Sequence, residues 1–167
     1  MIFLKIKEYN RKNAVEYATK WAYKRNPRYY NFDSVGGDCT SFISQCIYAG
    51  CNIMNYKKHI GWYYNSSTDR TASWSGVEFL YNFLINNKRV GPRGKITDIK
   101  GLEIGDIIQL KFLEARFSHS LVIVDKKGNK LDEIYIATHT EDALYRKVST
   151  YNFQDIRFIH IKDVGIY

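Results

Sequence analysis

Gly36-Gly37-Asp38-Cys39-Thr40-Ser41-Phe42-Ile43-Ser44-Gln45-Cys46 sets a cysteine directly behind a glycine pair and at the head of an apolar run with helical spacing. A thiol at a helix start lies in the positive end of the helix dipole, which favours the thiolate, the nucleophilic form. The backbone N–H groups of that first turn have no partner within the helix and can hold a developing oxyanion. Cys39 is therefore the candidate nucleophile, and the helix it opens is expected to run to about Ala49, with Gly50 as its stop.

Upstream, Asn10 can cap a helix carrying Ala14, Ala18, Trp21 and Ala22, which Asn26-Pro27 should end. Downstream, 52–74 reads as a long aromatic irregular stretch. Ser75-Gly76-Val77-Glu78 then reads as a capping box opening a third helix, and Gly91-Pro92-Arg93-Gly94 as a turn. Beyond it the period changes. Stretches 107–112, 118–125, 131–138 and 156–162 are rich in isoleucine, valine and aromatics and read as strands. Helices first and strands second predict an α+β fold, with N-terminal helices packed on a C-terminal antiparallel sheet and one domain over 1–167.

The strand at 118–125 opens on His119, the candidate general base for Cys39. If a hairpin turns symmetrically about Asn129, His119 faces His139, which would then orient it, with Asp142 in reserve. A slip of one residue would bring Thr138 opposite instead and turn His139 away. Asp38 has two readings, a helix N-cap or a groove carboxylate that binds a substrate amine. Cys46 and Cys51 read as core residues. No CxxC or HxxxH spacing occurs, so no metal site is expected, and the chemistry needs no cofactor.

The formal charge is +8, which favours anionic partners. The basic residues are scattered among acids and aromatics, so a nucleic-acid partner is not expected. No segment reaches transmembrane length, and the charges at Lys5, Lys7 and Glu8 leave no room for a secretory apolar region. The sequence thus reads either as cytoplasmic or as a mature form whose signal has been removed.

Ala14 to Phe32, with Trp21-Ala22 and Arg25-Asn26-Pro27-Arg28-Tyr29-Tyr30-Asn31-Phe32, followed by Gly37 to Gln45, resembles the bacterial putative amidase domain, which looks like a branch of the papain-like NlpC-type and CHAP-type cell-wall hydrolases. Leu102 to Leu110 resembles the strand entry of those enzymes, with Ile104 where a proline is usual. Ser118-His119-Ser120 and Thr138-His139-Thr140 resemble their two later motifs. The resemblance implies a papain-like fold, hydrolysis of amides in peptidoglycan stem peptides, and Cys39, His119 and His139 as nucleophile, base and orienter. It also implies that Asp38 binds a free amine. Two other classes compete: a thiol acyltransferase or lipid-acting enzyme on the same scaffold, and a non-catalytic module that binds an anionic polymer.

Overall fold

The computed structural model describes residues 2–167. Four helices, α1 (Arg11–Trp21), α2 (Cys39–Cys51), α3 (Ala72–Ser75) and α4 (Val77–Asn86), precede most of the strands. The strands are β1 (Lys5–Lys7), β2 (Gly91–Thr97), β3 (Ile107–Lys111), β4 (His119–Lys126), β5 (Ile134–Thr138), β6 (Ala143–Lys147) and β7 (Asp155–Ile166). They form one antiparallel seven-stranded sheet in the order β1-β7-β3-β4-β5-β6, with β2 paired to the other edge of β7. The α+β expectation, helices followed by an antiparallel sheet, is met. No helix among the described residues is long and apolar enough to cross a membrane.

The sheet divides the core. Ile107, Val122, Ala137 and Ile159 face the helices and meet Phe42, Ile43 and Ile47 of α2. Ile108, Leu121, Ile123 and Ile136 face the other way, against Val148 and the partly buried Tyr151. α2 is central, with Phe42, Ile43, Cys46, Ile47 and Cys51 all fully buried. The apolar period of the sequence therefore becomes a helix buried on nearly every side rather than an amphipathic surface helix.

The 52–74 stretch is pinned by its aromatics. Trp62 and Trp74 are fully buried, with ring centroids 4.9 Å apart, and Tyr29 stacks on Trp74 at 5.7 Å. Ser44 ties this cluster to α2 by accepting from Trp62 Nε1 at 3.0 Å and donating to the Trp74 carbonyl at 2.8 Å.

Three expectations are corrected. Gly91-Pro92-Arg93-Gly94 is not a turn but the start of β2, an edge strand with a register shift between Arg93 and Gly94. Edges and bulges are where a sheet tolerates proline, because the missing N–H has no neighbour to serve. The capping box at Ser75 does not form: Gly76 is the N-cap of α4, with no side-chain cap bond, and Ser75 Oγ accepts from Arg70 instead. The β4–β5 hairpin is not symmetric about Asn129. Lys126 pairs with Ile134 and Asp125 with Tyr135, but the register then shifts, so that Ile123 pairs with Ile136 and Val122 with Ala137. The extra residue is Val124, and such a bulge moves every later side chain by one position relative to its partner strand.

Candidate active site

The bulge decides which groups meet. Because side chains alternate, Thr138 falls on the face of β5 that matches His119 on β4, and His139 falls on the opposite face. His119 Nε2 lies 3.4 Å from Thr138 Oγ1. The Thr138 hydroxyl is also 2.8 Å from the Ser120 carbonyl oxygen, to which it can donate. The Thr138 oxygen then accepts from His119 Nε2–H, which leaves the Nδ1 lone pair as the basic position. Burial, with a smaller contribution from the charge of Arg146, pushes the His119 imidazole down from 6.5 to about 4. At neutral pH it is an uncharged base.

His139 does not orient His119, contrary to the symmetric-hairpin expectation. Its Nδ1 lies 2.6 Å from Asp38 Oδ2 and its Nε2 lies 2.8 Å from the Trp21 carbonyl oxygen, so neither ring nitrogen remains for His119. The ring stacks on Phe42 at 3.8 Å between centroids and is almost fully buried. Asp142, the reserve orienter, is also committed elsewhere, accepting two bonds of 2.9 Å from Arg25.

Asp38 is 1% exposed and does not face a groove. It stands at the N-cap position of α2 but makes no side-chain cap bond. Its carboxylate turns back to accept from the Phe32 N–H at 2.9 Å and to meet His139. Asp38 therefore keeps the N-cap position without the capping bond, and its carboxylate acts as a buried anchor rather than as a groove carboxylate. Its own N–H donates to Thr140 Oγ1, in a turn where Thr140 and Glu141 both have positive φ. Gly37 makes that approach possible, since a Cβ there would lie 2.9 Å from Thr140 Oγ1. Arg25 completes the cluster by bridging Asp33 and Asp142. Together these bonds fasten the start of α2 to the β5–β6 turn.

Cys39 is the first residue of α2 and is 6% exposed. Its thiol is pushed up by burial, opposed by the Ser120 backbone N–H and by the Thr40 hydroxyl, which lies 3.7 Å from Sγ. Burial is the largest influence and holds the thiol above its ordinary value, contrary to the thiolate expected from the sequence. Sγ and the His119 ring make no hydrogen bond here, because Ser120 points to α2 while His119 points to the other face. Catalytic contacts of this kind are often long before substrate binds.

Sequence reasoning missed the polar chain behind the thiol. Thr40 Oγ1 is 3.0 Å from Ser120 Oγ, which accepts from the fully buried Gln109, which in turn accepts from Arg157. It also missed Tyr151, whose ring is 5.9 Å from that of His119 and whose hydroxyl is buried. Burial pushes the Tyr151 phenol up; Arg146 opposes this, and Glu141 and Cys39 add to it, so the phenol stands within electrostatic reach of the thiol.

Residues 8–162 match the model of the putative amidase domain. The chain belongs to the putative amidase domain family. This amidase domain is also 36% identical over 126 residues to the uncharacterized protein YhbB of Bacillus subtilis (strain 168). That match covers 73% of the chain but 39% of the relative, so the chain spans about two fifths of the relative's length. No solved structure matches.

Within the site, Thr138→Val keeps the volume and removes the acceptor of His119 Nε2–H. The expected result is a loss of about tenfold in kcat, the worth of one ordinary hydrogen bond, with KM unchanged. Steady-state kinetics of the variant checks this, and Thr138→Ser should restore most of the rate.

Proposed function

We propose that this amidase domain is a cysteine amidase or peptidase on a papain-like scaffold, a single unit over its 167 residues, acting on peptidoglycan stem peptides. One observation carries the reading. Cys39 opens α2 at an uncapped helix start and meets the backbone of Ser120, one residue from His119, whose ring is held by Thr138. A basic nitrogen on the adjoining strand, the free first-turn N–H groups and the thiol are the parts an acyl transfer requires.

The Cys39 thiol passes its proton to His119 Nδ1 as Sγ bonds to the amide carbon. The carbonyl oxygen becomes an oxyanion facing the first-turn N–H groups of α2. When the C–N bond breaks in the substrate-bound state, which brings the His119 ring to Sγ, His119 returns the proton to the leaving amine and a thioester remains on Cys39. Water then attacks the thioester, again losing its proton to His119. The C–S bond breaks, the carboxylic acid product leaves, and the proton returns to sulfur. Asp38 and His139 take no part in these transfers and hold the start of α2 in place. The choice of peptidoglycan is supported by the likeness of the motifs to cell-wall hydrolases and by the +8 charge, which suits an acidic polymer.

The test is incubation of purified muropeptides with the protein and with Cys39→Ala, reading new amine and carboxyl termini by mass spectrometry. Cleavage by the former and none by the latter is expected. Equal cleavage by both, or none by either while simple amides are cut, would remove the thiol mechanism or the substrate respectively.

A further inference from the structure

Two cavities lie away from Cys39. One of about 570 Å³ lies between the 55–61 segment and the outer side of α4, and a second of about 370 Å³ adjoins it, sharing His59 and Phe79. The first is within the range of small-ligand sites. Lys57, Lys88 and Arg89 line the first and Lys58 and Arg70 the second, while no aspartate or glutamate lines either. Among the described residues none of these five cations has an ion-pair partner.

The arrangement is built rather than incidental. Asn55 Oδ1 accepts from the Lys57 N–H and Asn87 Oδ1 accepts from the Arg89 N–H, each at 3.0 Å. The Nδ2 groups of both asparagines converge on the Val90 carbonyl at 3.0 and 3.1 Å. Two side-chain-closed turns, braced to one another through a single carbonyl, thus present a cation each to the same cavity. Phe79 lines both cavities and is 60% exposed, so it offers them apolar surface. Asn82, also on the wall, donates no side-chain hydrogen bond among the described residues, so its amide can serve a ligand.

We propose that this groove is a second binding site that takes an acidic sugar unit, a pyranose bearing a carboxylate or phosphate. The acid would sit among Lys57, Lys88 and Arg89, the ring's C–H face on Phe79, and a hydroxyl or acetamido group on Asn82. A single-stranded nucleic acid fits less well, since it needs successive aromatic platforms along a backbone groove, and here one exposed ring stands among cations. The site does not depend on the chemistry assigned to Cys39.

Calorimetric titration of the whole chain at low salt tests it, with N-acetylmuramic acid, N-acetylglucosamine 6-phosphate, neutral N-acetylglucosamine and an oligothymidylate as probes. At least one acidic sugar should bind, and the neutral sugar at least about tenfold more weakly. Lys88→Ala/Arg89→Ala, at exposed positions, should weaken the acidic sugar by about tenfold, and Phe79→Ala should weaken both kinds of sugar. Cys39→Ala should bind as the unaltered protein does, which separates this site from the amidase site. The relative strength of the two acidic sugars tells carboxylate from phosphate. Failure of both acidic sugars to bind, equal binding of the neutral sugar, tighter binding of the oligothymidylate, or indifference to the double substitution would each overturn the proposal.

Discussion

Replacing His119 with alanine is expected to lower amide turnover by about 10²–10⁴-fold, the usual contribution of a positioned general base. The pH profile should carry the same signature. Because burial holds the imidazole at about 4, the base limb of kcat/KM should fall only as pH drops through that value, not near the free histidine value of 6.5. Stability follows the same group with the opposite partner in view. The folded value lies below the unfolded one, so protons bind the unfolded chain first as pH falls from 6.5 to about 4. His119 therefore contributes fully above 6.5, and a loss of about 3 kcal/mol accumulates across that window. Urea denaturation at several pH values should show this slope, and His119→Ala should flatten it.

The second large effect is on the fold. Asp38→Ala leaves His139 Nδ1 and the Phe32 N–H without their acceptor in a site closed to water. Two stranded buried donors cost about 3 kcal/mol, which lowers the melting temperature by roughly 6–12 °C in a chain of this size. A groove carboxylate holding a substrate amine would behave differently, raising KM with no change in melting. Thermal melts and kinetics on the same variant therefore distinguish the anchor from the ligand.

The contrast between these two residues shows what the chain makes legible. The buried helix behind Cys39 could be read because apolar spacing and the glycine pair are local signals. Thr138 and His139 could be told apart only by knowing the parity of β4 against β5, and that parity depends on one bulged residue, Val124, with no glycine or proline to mark it. The β5–β6 turn was equally silent: Thr140 and Glu141 adopt positive φ without glycine, so β6 carried no turn signal. Pro92 misled in the other direction, since a breaker is also compatible with an edge strand. The resting charge of Cys39 was misread for a further reason. The dipole of a helix start can be inferred from sequence, whereas the burial that raises the thiol is a property of the packed sheet.

The proposed cell-wall amide hydrolysis rests on one pairing, Cys39 with His119. It is tested most directly by alkylation with iodoacetamide, resolved cysteine by cysteine by mass spectrometry, in the unaltered protein and in His119→Ala. All three thiols are buried and pushed up by burial, so exposure alone offers little selectivity. The account predicts that Cys39 reacts well ahead of Cys46 and Cys51, and that this lead collapses in His119→Ala. Labelling of Cys39 no faster than the other two, or at a rate indifferent to His119, would contradict it.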